Sequence, residues 1–301
     1  MLMEEHETGQ HKSGYIAIIG KPNAGKSTLL NQVMGIKLSI ATHKPQTTRH
    51  RIMGIYSDDD CQIILMDTPG VITPKYKLQE AMMGFVERAR TDADIVLHVV
   101  DAADPELYDA ENELLDRISK PVLLVLNKSD LVSEEQAGAI VNGLRAGREY
   151  ADVLIVSALT GAGTDAMLDT LKAMLPTGPP FYPKDQLSEA PERFFVSELI
   201  REQLFLQYRQ EIPYSCAVNI VDFSDDEDLT RIDAEIVVNR NSQKGMIIGK
   251  GGQALKKLGT ASRATIEQFL DRKIYLALHV KVRDKWRDND AFIRSYGYGG
   301  G

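Results

Sequence analysis

Four short segments of this chain carry residue types that make chemical sense together. The first is Gly20-Lys21-Pro22-Asn23-Ala24-Gly25-Lys26-Ser27-Thr28. Its glycines let backbone wrap an anion closely with N–H groups pointing inward, and the helix expected next adds its positive N-terminal end. At this spacing Lys26 reaches the outer phosphates of a nucleotide and the Ser27 hydroxyl ligates magnesium. The second segment, Asp67-Thr68-Pro69-Gly70, closes an apolar run, where a carboxylate is costly without a cation partner. Asp67 would hold the magnesium through water, and the Gly70 N–H would meet the γ-phosphate. The third is Asn127-Lys128-Ser129-Asp130. Asp130 can accept two hydrogen bonds from the N1–H and 2-amino edge of guanine, an edge that adenine lacks. A carboxylate left unpaired by the wrong base gives selectivity. Asn127 can tie neighbouring loops together, and the Lys128 stem can cover the base. In the fourth segment, Ser157-Ala158-Leu159, the Ala158 N–H can serve guanine O6. The four in this order predict a site for GTP and GDP with Mg2+, and GTP hydrolysis there.

A fifth run, Pro45-Gln46-Thr47-Thr48-Arg49-His50, lies between the first expected helix and the second strand. A mobile switch loop supplies a threonine to magnesium and γ-phosphate from that position. Thr48 is assigned the role, with Thr47 as the alternative, so Lys26, Thr48 and Gly70 form the catalytic set. Val71 stands where many GTPases place the glutamine that orients water. An apolar side chain cannot do that, so intrinsic hydrolysis should be slow and catalysis needs another device.

Positioning these segments requires strands that end at each of them. Short apolar runs at 15–19, 51–56, 62–67, Ile95–Asp101, Val122–Asn127 and 153–156 alternate with helical stretches at Lys26–Met34, 78–90, 110–118, 134–149 and 164–175. Buried runs alternating with helices predict an α/β P-loop NTPase fold, a doubly wound, mainly parallel sheet covered on both faces. Its ligands sit at the carboxyl ends of strands. This domain is expected over 14–175, after a flexible tail at 1–13. Four prolines in residues 176–183 cannot continue a helix or a central strand, so 176–190 reads as a linker. Beyond it, 191–301 should form a smaller α+β domain ordered α-β-β-α-α-β, with a C-terminal tail.

Charge separates the two halves. The net charge is −8, and residues 1–183 hold 17 Lys and Arg against 25 Asp and Glu. Residues 240–287 hold 12 basic and 3 acidic side chains, the asymmetry expected when one module meets a polyanion. Within that stretch Gly249-Lys250-Gly251-Gly252 joins two helical segments. A Gly-x-x-Gly turn of this kind lets a nucleic-acid backbone approach and clamps about four nucleotides. Lys250 can meet a phosphate, and Ile248 can flank unstacked bases. Lys256, Lys257 and Arg263 on the next helix add attraction that is independent of sequence. Lys281, Arg283, Lys285 and Arg287 alternate at strand spacing and would present a further basic face. Trp286 is expected to pack within the domain rather than stack on a base.

Taken together, the run Gly20–Asn31, the Gln46-Thr-Thr-Arg-His-Arg51 switch, Asp67-Thr-Pro-Gly70, Asn127-Lys-Ser-Asp130 and the C-terminal turn resemble the bacterial Era GTPases with a type II KH domain. The resemblance spans about 15–298. It implies a GTPase that binds 16S rRNA near its 3′ end and assists maturation of the 30S ribosomal subunit. It also implies that Asn23 can hold a K+ ion near the phosphates, which would partly compensate for Val71.

Other features exclude alternatives. The two cysteines, Cys61 and Cys216, lie far apart, so reduced, buried thiols are expected rather than a disulfide. The first residues lack the basic and apolar halves of a signal peptide, and no apolar run is long enough to span a bilayer. A cytoplasmic monomer is expected, with at most weak peripheral contact at the inner face of the membrane. His6 and His11 are five apart, where zinc on one helix face needs four. Asp225-Asp-Glu-Asp228 reads as a solvated hairpin turn, His43 and His50 as surface residues, and His98 as a buried strand residue. Two competing functions remain at this level: constitutive RNA binding with a structural nucleotide, and a membrane-associated GTPase.

Overall fold

The computed structural model of the chain describes residues 11–225 and 229–299. Most of the acidic turn at 225–228, together with His6 and the last two glycines, lies outside the described residues. Six strands, β1 (Lys12–Ile19), β2 (Ile52–Ser57), β3 (Cys61–Asp67), β4 (Ile95–Asp101), β5 (Val122–Asn127) and β6 (Asp152–Ile155), form one sheet in the order β2-β3-β1-β4-β5-β6. Every pairing is parallel except that of β2 with β3. Every residue of β3 and β5 is buried. Such unalternating apolar runs have no face to give to water, so the sheet needs cover on both sides.

The cover comes from five helices. On one face α1 (Lys26–Met34) and α5 (Thr164–Met174) set Leu29, Leu30, Met167 and Leu171 against Ile16, Ile18, Leu97 and Val125. On the other, α2 (Lys77–Asp92), α3 (Asp109–Asp116) and α4 (Glu134–Gly147) set Val86, Leu114 and Val141 against Ala17, Ile19, Val96 and Leu126. Adjacent strand residues thus enter opposite cores, as the two-residue period of a strand requires.

Lys12 and Ser13, expected in the tail, instead extend β1. The reason lies in the linker: the Ser13 N–H donates to the Pro176 carbonyl at 3.1 Å and its hydroxyl to the Pro179 carbonyl at 2.7 Å. The linker is also tied down further along. Gln62 Oε1 accepts the N–H groups of Phe181 and Tyr182, and the Ile55 N–H donates to the Leu187 carbonyl at 2.9 Å. The end of the linker thus pairs part of the outer edge of β2: the Ser188 hydroxyl also donates to the Met53 carbonyl at 2.6 Å, so fewer edge groups are left open.

The second domain contains α6 (Glu192–Gln207), a short α7 (Ile212–Ser215), β7 (Ala217–Asp225), β8 (Thr230–Val238), α8 (Asn241–Ile248), α9 (Gln253–Leu270) and β9 (Ile274–Val282). Its sheet runs β7-β8-β9, with β7 antiparallel and β9 parallel to β8. The C-terminal residues are not a loose tail. Trp286 is fully buried and donates its indole N–H to the Ser215 carbonyl at 2.9 Å. With Ile293 of α10 (Asp290–Ser295) and Tyr298 it packs on Leu78 and Met82 of α2. This segment is a hydrophobic wedge between the domains.

Candidate functional site

The first segment wraps the end of β1 and runs into α1, whose N-cap is Gly25 at φ 93°. No side chain caps this helix and its first turn holds no acidic residue. Helix α4 shows the contrast: its Ser133 and Gln136 form a reciprocal capping box. The first amides of α1 are thus left for an external anion. Gly25 is also obligatory for space, because a Cβ there would lie 2.1 Å from the Asn127 amide nitrogen. That amide donates to the Ala24 carbonyl at 2.8 Å, while Asn127 Oδ1 accepts the Ala158 N–H at 2.9 Å. Asn127 therefore stitches the first segment to the fourth.

Lys26 is buried, and its ammonium donates to the carbonyls of Gly20 (3.0 Å) and Lys21 (2.7 Å). Burial pulls its pKa down to about 8, against the opposing charges of Asp67 and Glu111. Beside it the Ser27 hydroxyl donates to Asp67 Oδ2 at 2.6 Å and lies 2.7 Å from the Thr48 hydroxyl. The Thr47 hydroxyl turns away to Thr42 and the Lys44 carbonyl. Asp67 is fully buried, its pKa is raised by that burial, and its Oδ1 has no partner. An orphaned carboxylate oxygen beside two hydroxyls is the donor set that a hard divalent cation suits. Ser39 was missed by sequence reasoning. It is fully buried between Leu38 and Ile40 and donates to Asp67 Oδ2 at 2.7 Å, and a lone serine in that stretch gave no sign of this.

At the base end, Asp130 Oδ1 accepts the Ser157 hydroxyl at 2.6 Å, and Lys128, in left-handed conformation, places its ammonium 2.5 Å from Asp101 Oδ2. Leu159 is 76% exposed and lines the same cleft. That cleft, about 940 Å³, runs from Lys21, Pro22 and Asn23 past Ser27, Thr28, Thr48 and Gly70 to Asn127, Lys128, Asp130, Ala158 and Leu159. The hydroxyl of Thr68 is turned inward to the Ile18 carbonyl. Lys21 meets Asp104 (2.8 Å), the Glu106 carbonyl and the Tyr108 ring, a second ring of contacts that the sequence did not disclose. The Asn23 amide donates to the His43 carbonyl at 3.1 Å. The Val71 side chain is buried in the sheet core and points to no chemistry.

The switch run does more than carry threonines. Lys44 donates to the carbonyls of Phe205 and Tyr208 at the end of α6. Arg49 is buried and donates to Cys216 (2.7 Å) and Pro213 (2.8 Å) carbonyls. His50, expected at the surface, instead stacks on Tyr298 at 4.4 Å and meets Phe194 and Phe85. Burial among these rings lowers its pKa to about 4, so it stays neutral. Both thiols are free and buried, as expected.

In the second domain α8 stops at Ile248, and Gly249, Gly251 and Gly252 all take positive φ. Gly252, at φ 78°, is the N-cap of α9, again without a side-chain cap or acidic first turn. A Cβ on Gly251 or Gly252 would meet nothing within 4 Å. Lys250 is exposed in this turn, Lys256 and Lys257 are exposed in the first turns of α9, Arg263 is exposed about 15 Å from the turn along that helix, and Ile248 is half-buried beside the turn. The basic face expected from Lys281 onward does not form. β9 ends at Val282, Lys281 pairs with Glu235 at 2.9 Å, Arg283 lies over Phe292 and Arg287 over Tyr76. Strand spacing misleads there because the chain turns after β9. Among the described residues no helix is long and apolar enough to cross a membrane.

Comparison with known proteins agrees with this geometry. Residues 15–128 match the family model described as 50S ribosome-binding GTPase, and 211–287 match a KH domain. A chloroplastic GTPase of Zea mays, ERA1, is 48% identical over 99% of this chain and 75% of its own length. GTPase Era of Staphylococcus epidermidis is 42% identical over 96% of this chain and 98% of its own. Among solved structures, a variant of Aquifex aeolicus Era bound to GDP and AlF4− superposes with a TM-score of 0.92 at 35% identity, covering 96% of this chain and all of that one. An Era structure with MgGDPNP and nucleotides 1506–1542 of 16S ribosomal RNA gives the same score, identity and coverage. A P-loop GTPase domain joined to a KH domain, with relatives and structures matching over nearly the full length, means that the chain belongs to the Era family of GTPases.

Proposed function

We propose that the chain is a GTP-controlled factor that binds 16S ribosomal RNA near its 3′ end and assists assembly and maturation of the 30S subunit. The observation that carries this reading is the switch run. Thr48 lies beside Ser27 and Asp67, while its neighbours Lys44, Arg49 and His50 hold the KH domain. A loop that answers to the γ-phosphate is then the same loop that fixes the RNA-binding domain, as a two-state switch requires.

In the nucleotide cleft, Lys26 would turn from its two carbonyls to the outer phosphates. Gly20 to Thr28 would cradle the phosphates, Gly70 would offer its N–H to the γ-phosphate, and Asp130 with Ala158 would read guanine. Ser27 and Thr48 would hold Mg2+ directly and Asp67 through water. The metal, when bound, supplies charge to offset the developing anion. The Asn23 side-chain oxygen would meet K+, whose charge beside the phosphates would partly compensate for the water-orienting side chain that Val71 does not supply. In the KH domain, the Gly249–Gly252 turn would seat the RNA backbone against the open end of α9, with Lys250, Lys256, Lys257 and Arg263 adding phosphate contacts. The Era structure that holds MgGDPNP and a 16S fragment together supports a triphosphate-bound, RNA-bound state.

Crosslinking the protein to RNA in cells and sequencing the attached RNA tests the partner. Reads should concentrate at the 3′ end of 16S ribosomal RNA; reads spread over messenger or transfer RNA would overturn the assignment.

A further inference from the structure

Of the switch contacts with the KH domain, one leads on to the glycine turn. Lys44 belongs to a tight loop: its N–H donates to the Thr42 hydroxyl, its carbonyl accepts from Thr47, and Gln46 takes a left-handed conformation at φ 59°. Its ammonium donates to the Phe205 carbonyl and, at 2.5 Å, to the Tyr208 carbonyl. Helix α6 ends at Gln207, and a cation is favoured there because the last carbonyls are unpaired and carry the negative end of the dipole. Tyr208 is the C-cap residue of that helix.

From there the half-buried side chain packs against one KH core cluster. The Tyr208 ring packs with the cluster of Leu204, Ile236, Ile247 and Leu258, and its hydroxyl donates to the Ile247 carbonyl at 3.0 Å. Ile247 is fully buried in the last turn of α8, and Gly249 comes two residues later. A single residue thus has its main chain held by the switch loop and its hydroxyl holding the helix end that launches the RNA turn.

Resting on the switch reading above, we propose that Tyr208 is the positioning residue that transmits the nucleotide state to the Gly249–Gly252 turn. When the switch loop holds Lys44 on α6, Tyr208 fixes the end of α8 and the turn is preorganised for an RNA backbone. When the loop lets go, the end of α6 and the Tyr208 hydroxyl are freed together, and the turn loses one of its anchors.

Tyr208→Phe removes the hydroxyl and keeps the ring. Affinity for an RNA with the sequence of nucleotides 1506–1542 of 16S ribosomal RNA is measured with GDPNP and with GDP, and the ratio is the readout. The ratio should fall about fivefold in Tyr208→Phe, the worth of one net hydrogen bond, with GTP hydrolysis unchanged. Lys44→Met breaks the same chain at its other end without touching the KH core. Its ratio should fall similarly, and the double variant should fall no further than the larger single. If wild type shows a ratio above one and Tyr208→Phe keeps it, or loses RNA affinity equally in both states, the relay is wrong while the switch reading survives. Multiplying effects in the double variant would also overturn the relay. A wild-type ratio of one would remove the switch reading itself.

Discussion

Helices α1 and α9 begin in the same way and end up with different tasks. Each starts on a glycine at positive φ (93° and 78°), and neither has a side-chain cap or an acidic first turn. Each therefore offers unpaired amides and a positive dipole end to an anion. The difference is in what surrounds them. Around Gly25 the space is closed: Asn127 stands where a Cβ would go, and Lys26 is buried. Around Gly252 the space is open, and Lys250 is exposed. A closed mould suits a compact polyphosphate of fixed size, whereas an open ledge suits a chain that enters and leaves. In the proposed function, the same local device would serve a nucleotide or an RNA backbone according to the walls around it.

The largest effect should come from the mould's buried charge. Lys26→Ala should weaken GTP binding on the order of 1000-fold, since two charge-assisted hydrogen bonds are worth roughly 3–6 kcal/mol together. Isothermal titration with Mg2+ present would measure it. Adding one methyl to each cap separates closed from open most cleanly. Gly25→Ala displaces the Asn127 amide as well as straining the backbone, so nucleotide affinity should fall on the order of 100-fold. Gly252→Ala meets only the left-handed strain, about 1–2 kcal/mol, and RNA affinity should fall roughly 5- to 30-fold at most. Equal losses at the two sites would erase the distinction between mould and ledge.

In the proposed reading the mould also discriminates between bases through Asp130. Asp130→Asn should cost GTP about 3 kcal/mol, on the order of 100-fold, by removing two hydrogen bonds to a charged acceptor. Xanthosine triphosphate should gain, because the amide N–H can serve a 2-oxo group. Competition binding with both nucleotides checks this, and an unchanged preference would contradict the assignment of Asp130. A smaller effect is expected at the ledge from Gly252→Asp. The new carboxylate can itself accept the first amides of α9, taking the place of a phosphate. RNA affinity should drop about tenfold and GTP hydrolysis should not change; retained RNA binding would argue against the turn as the contact.

Much of this was legible in the sequence, because each nucleotide segment sits at the end of a strand whose apolar run is unmistakable. Ile95–Asp101, Val122–Asn127 and α1 follow the apolar pattern residue for residue. The KH domain was legible for another reason: a Gly-x-x-Gly turn alone says little, but the α-β-β-α-α-β order and the 12 basic against 3 acidic side chains of 240–287 point to it together. What stayed hidden depends on contacts far apart in the chain. Nothing in the 45–50 run marks Arg49 as a domain contact; its role depends on the distant Pro213 and Cys216 carbonyls. His50 reads as surface until Tyr298 arrives from the other end of the molecule. Ser39 has no local signature at all, since its role is set by where Asp67 lands. The stripe from Lys281 to Arg287 misled because alternation describes a strand only while the strand lasts, and β9 ends at Val282.

In the proposed switch, closing the mould alters the ledge through the run 45–50 between them. Its most direct test is the affinity of the full chain for the 1506–1542 ribosomal RNA sequence, measured in one buffer with GDPNP, with GDP and without nucleotide. Binding should be tightest with GDPNP and weaker in the other two states. Three equal affinities would contradict the switch.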